Sequence, residues 1–514
     1  MSASAGLDKP SDAAARSSLV RDASGFMAAT YISQMLAFGI GVVTKGMLGP
    51  EDLGIWTLLL AVLSFLGLLE FGVIQAANKE IAYALSKGDE QAAERYKRVQ
   101  FSFVALTSVL GATALALYAL WFPSDRHALS IGLIAIALML PISQLQLGQV
   151  SVYWANRHFA ATSLLIIIET VLGGTVGLFL VWQFGLAGQV TSFFLILLVK
   201  VGSLAWQAGG HTPLRVGFSW DADTIRHLLK IGIPLLLINL SNVLKLSGTV
   251  FLISHYFDTQ SVGFYSLALS VQNFIYWTPN AFSVVMFPRF QSRYADSNDQ
   301  AGALRSFLVK PILGLAFFLL PLLLSAAYFI VPTLIEHALP AYVPSIAVLA
   351  VMLPGTFFLS LEHMPAQFLT TTNRLWERVV ISLSSLALLG LCVLPAMVLE
   401  ANLLIFVASL SVASLLAFLI AFTYAIHVAK GPRSDRRLPF VVVAAAVYVA
   451  IVVLTIDQWG PTSHGPWWAD VLVAGGKWGL SLVLFAPLFY MAERQLQLAS
   501  TLAHLVRNLR RRTT

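Results

Sequence analysis

Residues 31–85 read YISQMLAFGIGVVTKGMLGPEDLGIWTLLLAVLSFLGLLEFGVIQAANKEIAYAL, from Tyr31 to Leu85. The apolar runs on either side of Gly49-Pro50-Glu51-Asp52 are each long enough for a helix crossing about 30 Å of hydrocarbon, which takes roughly 20 residues at about 1.5 Å per residue. Two spanning helices joined by a tight turn are therefore expected. Lys45 lies near the end of the first helix and Glu70 well inside the second. A charge in lipid costs about 2.5–3.5 kcal/mol on insertion scales, so such residues face a wet interior, a partner or the surface. Lys45 reads either as an anchor snorkelling to the outer surface or as a cavity residue. Glu70 is too far from either end to snorkel and reads as inward-facing.

The rest of the chain has the same character. Of its 514 residues, 58% are hydrophobic and only 11% charged, with mean hydropathy +0.78. A soluble protein carries roughly 25% charged residues, so the composition is that of an all-α polytopic membrane protein. The single cysteine, Cys392, excludes a disulfide within the chain and leaves no thiol metal site. The polar segment 1–22 lacks the short apolar core of a cleaved signal, so the first hydrophobic segment is expected to remain as a span. Nucleotide-loop, zinc-protease and nucleophile-elbow motifs are absent from the sequence. A transporter rather than an enzyme is expected, with no cofactor and no metal.

Fourteen spans are expected, at 24–47, 56–78, 99–121, 129–153, 160–182, 187–207, 229–256, 263–288, 307–330, 345–368, 377–399, 402–427, 438–457 and 468–491. With a cytoplasmic N-terminus, Lys45, Lys200, Lys245 and Lys477 fall within spans and Arg126 falls outside. Every other Lys and Arg lies on the inner side. That asymmetry satisfies the positive-inside rule and puts both termini in the cytoplasm. The net charge of +7 is thus a topology signal, not a nucleic-acid footprint. The stretch from Trp459 to Trp468 suits an outer aromatic belt. The basic tail after Leu498 reads either as an amphipathic helix on the anionic inner surface or as a frayed end.

An internal repeat organises the spans. Residues 48–58, LGPEDLGIWTL, align without gaps on 257–267, FDTQSVGFYSL, at an offset of 209. A second echo pairs Ala155-Asn156-Arg157 with Thr372-Asn373-Arg374. Parallel repeats predict two six-helix lobes with a site between them. The expected division is an N-terminal tail (1–22), a first lobe (23–208), a cytoplasmic linker (209–228), a second lobe (229–428), an added helix pair (429–491) and a basic tail (492–514).

The polar residues inside the spans are the candidate site. Asn239, Asn242, Lys245 and Thr249 share one face of an ideal helix. Glu70 and Lys245 lie at similar depths, which makes a pair between the lobes an expectation. Gln272, Tyr276 and Asn280 add a polar face to the eighth span, and Gln34, Gly41 and Lys45 one to the first. Glu169 in the fifth span, with Glu362 and His363 in the tenth, are candidates for ion coupling; the last two also read as solvated near the inner end. For the amides, bonding between helices is the competing expectation.

Gly49-Pro50-Glu51-Asp52-Leu53-Gly54-Ile55-Trp56, then Glu70-Phe71-Gly72 and Asn78-Lys79-Glu80, look like the opening helix pair of the bacterial polysaccharide flippases. These are the Wzx-like exporters of the MATE/lipid II flippase (MOP) superfamily. The resemblance implies two six-helix lobes around a central cavity, in the bacterial inner membrane. It also implies a polyprenyl-diphosphate-linked oligosaccharide as substrate, an O-antigen or exopolysaccharide repeat unit, with membrane lipids, a glycan polymerase and glycosyltransferases as partners. Lysine offers phosphate a point charge and amides offer sugars paired donors and acceptors. The alternatives are a MATE-like cation-coupled drug antiporter and a lipid II flippase. A membrane glycosyltransferase, which would need catalytic residues on longer outer loops, and a non-transporting scaffold fit less well.

Overall fold

The structure, a computed structural model, describes residues 12–121, 127–156, 158–208, 215–297, 301–430, 432–460 and 466–496. The tail after Leu498 and Arg157 of the second echo lie outside the described residues. No strand occurs among those described. The helices are α1 (Asp12–Leu66), α2 (Val73–Ser86), α3 (Glu90–Trp121), α4 (His127–Ala155), α5 (Phe159–Leu172), α6 (Leu178–Gln207), α7 (Ala222–Val243), α8 (Thr249–Tyr256) and α9 (Thr259–Asp296). They continue as α10 (Arg305–Gly314), α11 (Leu320–Ala338), α12 (Ser345–Leu361), α13 (His363–Thr371), α14 (Leu375–Val398) and α15 (Leu403–Val428). The last are α16 (Leu438–Trp459), α17 (Trp467–Leu484) and α18 (Ala486–Leu496).

Each of the fourteen expected spans falls on a helix or on helices joined end to end. Among the described residues ten stretches are long and apolar enough to cross a membrane, and eleven if α17 and α18, bent by 47°, count as one span. Two of the ten, Met35–Glu70 and Leu164–Gln207, are long enough to hold two spans each. Gly49 breaks the first with φ 74° and ψ 168°, and Gly185 breaks the second with φ 54° and ψ −129°. Such angles suit glycine, which has no Cβ to clash. Pro50 then starts the next helix where its missing N–H costs nothing. The expected span 263–288 lies in α9, whose side chains beyond Trp277 are largely outside the described residues.

The helices present wide apolar surface outward, and tryptophans mark their ends. Trp121, Trp206 and Trp459 are 79%, 83% and 82% exposed. Such surface is incompatible with water on all sides and suits lipid with aromatic girdles at the headgroups. The protein is a multi-pass membrane protein.

The chain forms two compact units, Met1–Met47 with Val62–Leu236, and Leu48–Ala61 with Leu237–Thr514. In the first, Ala76, Ala77, Ala84 and Ala93 are buried around Val99, Phe101 and Tyr153. Small residues let helices approach closely where lipid supplies no hydrophobic drive. The Tyr153 hydroxyl donates to the Leu204 carbonyl at 2.7 Å, tying α4 to α6. In the second, α12 is buried along most of its length. Gly355 admits α15, since a Cβ there would lie 2.8 Å from the Ser411 Cα. Ser411 in turn donates to the Val351 carbonyl at 2.8 Å.

The repeated segment packs on its own copy within the second unit. A Cβ on Gly54 would lie 2.0 Å from the Thr259 carbonyl oxygen, and one on Gly263 would lie 1.9 Å from that of Pro50. Thr57 and Ser266, also 209 residues apart, share a hydroxyl hydrogen bond of 2.8 Å. Residue i meets j while the copy of j meets the copy of i, the signature of a two-fold contact.

Candidate functional site

Helices in lipid cannot leave backbone groups unmet, so irregular turns there are informative. Three π-helical turns interrupt the spans, at Gly173–Gly177, Leu244–Gly248 and Leu315–Leu319. Among the described residues, the chain is also interrupted at Gly67–Gly72 and at Glu362, the latter a single residue with helical φ/ψ between α12 and α13. The acidic candidates Glu70 and Glu362 occupy those two breaks.

Glu70 ends a 3₁₀ turn, Gly67–Glu70, and Phe71 and Gly72 follow in the left-handed region at φ 51° and 77°. The buried carboxylate accepts from the Ile74 N–H at 2.8 Å at the start of α2. Helix N-termini carry orphan N–H groups and partial positive charge, which is what a carboxylate there satisfies. Neighbours on α4 complete the repair: Gln144 donates to the Gly67 carbonyl at 2.9 Å and Ser151 to the Ile74 carbonyl at 3.1 Å. Asn78 donates to the Ser151 carbonyl at 2.7 Å. Gly72 also packs on Gly232 of α7, where a Cβ would lie 2.2 Å from the Gly232 carbonyl oxygen.

The second unit joins a π turn to a break. Lys245 sits in the π turn between α7 and α8. Glu362 sits between α12 and α13. The Lys245 ammonium lies 3.8 Å from the Glu362 carboxylate and donates to the Ser385 hydroxyl of α14 at 3.2 Å. Both charged side chains are largely enclosed, 17% and 18% exposed. A small cavity of about 70 Å³ adjoins them, lined by Lys245, Thr249, Tyr265, Gln272, Ser411 and Ser414 among others. Leu246, Met352, Leu359, Leu389 and Leu410 line the rest, so it is mainly apolar with a polar side, and it is large enough for a water or two. The Tyr276 ring stacks obliquely on His363, centroids 4.5 Å apart, and Arg378 donates to Thr370 at 2.6 Å, joining α14 to α13.

The candidate residues thus separate into groups. Lys245, Gln272, Tyr276, Glu362 and His363 come together in the second unit. Asn239 is half-buried and Asn242 exposed, while Thr249, just past the π turn, lines the small cavity with Lys245. Ser241, between the asparagines, is instead the buried group, donating to the Ser382 carbonyl at 2.6 Å. The Asn280 and Gln34 side chains lie outside the described residues. Lys45 folds back on its own helix, 3.4 Å from the Gly41 carbonyl. Glu169 pairs with Lys200 at 2.9 Å in the first unit. Within its own unit, Glu70 is held by the α2 backbone and Lys245 by Glu362 and Ser385. Tyr265, Arg378, Ser385 and Ser411 were not among the candidate site residues. For Ser385 the run Ser382-Leu383-Ser384-Ser385 in an otherwise apolar span was the available signal.

Solved structures with this fold are transporters. An inward-facing multidrug resistance MATE family transporter of the MOP superfamily superposes with a TM-score of 0.64 at 14% identity, covering 77% of this chain and 96% of that one. The lipid II flippase MurJ, in an inward closed conformation, gives 0.61 at 14%, covering 91% and 98%. A variant of the Vibrio cholerae MATE transporter VcmN gives 0.61 at 14%, covering 82% and 99%. Among curated proteins no sequence matches. At such identity the likeness establishes the fold. The family described as polysaccharide biosynthesis protein matches residues 46–339, more than half of the chain, including the opening turn and its copy. The chain therefore belongs to the polysaccharide biosynthesis protein family, with a fold shared by MATE transporters and the lipid II flippase MurJ.

Proposed function

We propose that this flippase moves a polyprenyl-diphosphate-linked oligosaccharide, an O-antigen or exopolysaccharide repeat unit, across the bacterial inner membrane by alternating access. The observation that carries the reading is Lys245, a cation held inside a membrane span by Glu362 and Ser385 beside a small cavity with a polar side. A lysine at such depth needs a reason, and an incoming diphosphate supplies one by replacing Glu362 as its counter-charge. Glu362, released, then takes a proton or a cation, which ties substrate entry to an ion. Tyr276 and Gln272 offer an aromatic face and an amide to sugar rings. Family membership supports a glycan substrate over a drug, and the glycan polymerase and glycosyltransferases of the same assembly line are the proposed partners.

The test is complementation of a strain lacking this gene. Lys245→Ala is expected to abolish surface glycan and to accumulate lipid-linked repeat units, while Lys245→Arg, which keeps the charge, restores part of the output. Normal output from Lys245→Ala overturns the reading. The superposition on MATE transporters favours one competitor, a cation-coupled drug antiporter. That alternative predicts unchanged glycan and increased sensitivity to cationic drugs in the deletion strain.

A further inference from the structure

A second, larger cavity of about 580 Å³ opens among α11, α12, α16 and α17, all within the second unit and apart from Lys245. Its walls differ. Val343, Ile346, Leu349, Ala350 and Leu353 give an apolar side at and along α12. Facing them are Tyr328, Glu336, Asp457, Asp470 and Lys477. Asp457 accepts from the Tyr328 hydroxyl at 3.1 Å and from Lys477 at 3.5 Å, and Asp470 lies 2.9 Å from His337 Nε2. Three carboxylates thus stand against one lysine.

The placement of these groups is what identifies a ligand. Glu336 lies near the C-terminus of α11, and Asp470 lies in the first turn of α17. Both are at the rim. Exposed Trp459, Trp467 and Trp468 flank Asp457 and Asp470 in sequence and mark the level where lipid headgroups lie. Lys477 leaves α17 about 10 Å beyond Asp470, and its ammonium reaches back to Asp457 at 3.5 Å, near the end of α16. The apolar wall of α12 runs on beside it. The rim therefore offers carboxylates and one ammonium together, with hydrocarbon-like surface running inward along α12.

We propose that this cavity binds the headgroup of an ethanolamine phospholipid. Its ammonium is held at Glu336 and Asp470, its phosphate at Lys477, and the first acyl carbons lie against Ile346, Leu349 and Leu353. That lipid presents a cation and an anion side by side above its hydrocarbon. A primary ammonium donates hydrogen bonds to carboxylates, which a trimethylammonium cannot, and the acidic rim repels an anionic glycerol headgroup. The apolar wall calls for a whole lipid rather than its soluble head.

Native mass spectrometry of the full-length protein, released from mixed micelles containing phosphatidylethanolamine, phosphatidylcholine and phosphatidylglycerol, tests this. The unmodified protein is expected to retain phosphatidylethanolamine preferentially. Glu336→Gln is expected to reduce that retention about tenfold, the scale of one charge-assisted hydrogen bond. Glu336→Lys is expected to turn the preference towards phosphatidylglycerol, a change of selectivity that misfolding does not produce. O-phosphoethanolamine alone is expected not to displace the bound lipid. Equal retention of the three lipids, indifference to both substitutions, or displacement by the soluble headgroup overturns the proposal.

Discussion

Glu70 and Lys245 are both charges in apolar spans, yet the surroundings assign them different work. Glu70 caps a helix that restarts inside the span. Glu70→Ala is expected to cost about 1–2 kcal/mol of stability, the range for a lost cap, read as a lowered melting temperature in detergent. Glu70→Gln, which keeps an acceptor oxygen, is expected to recover part of it. Lys245 and Glu362 form a pair whose members depend on each other. Removing one leaves a poorly solvated charge, whereas removing both leaves none. Lys245→Met and Glu362→Leu are each expected to destabilise by about 1–3 kcal/mol, with the double variant less destabilised than their sum. Denaturation of the four proteins in one detergent reads the coupling directly.

At the scale of elements, the seam between the start of the second half of α1 and the start of α9 is the most tightly drawn contact. The Thr57 and Ser266 hydroxyls are 2.8 Å apart, so Thr57→Cys with Ser266→Cys, in a Cys392→Ser background, is expected to oxidise to a disulfide within the chain. The bond ties α1 to α9, and glycan export is expected to stop under oxidant and return on reduction. Gly54→Val and Gly263→Val each force side-chain carbons onto a carbonyl. Each is expected to cost about 1–3 kcal/mol, as overpacking does, and by similar amounts because the positions are equivalent. Full export from the oxidised double-cysteine protein would show that the seam stays closed throughout the cycle.

For the whole molecule, the proposed topology makes a direct prediction. Reporter fusions after Lys87 and Lys430 are expected to be active only as cytoplasmic reporters, and a fusion at Gly460 only as an exported one. The helices themselves were legible in the sequence, because apolar length is a one-dimensional signal. The repeat was legible too, since Gly54 and Gly263 sit at matched positions with nearby aromatics. The partners of the buried charges were not. Glu70 looked like a cavity group because a straight helix leaves no N–H for it to meet. Only the left-handed Phe71-Gly72 step exposes one. Likewise the face containing Asn239, Asn242, Lys245 and Thr249 presumed an unbroken 3.6-residue period, and the π turn at Leu244–Gly248 changes that phase. Backbone discontinuities rearrange side chains without altering composition, so pattern alone passes over them. The glycine seam carries one more implication. A surface that fits its own duplicate would also serve to join two separate half-length polypeptides.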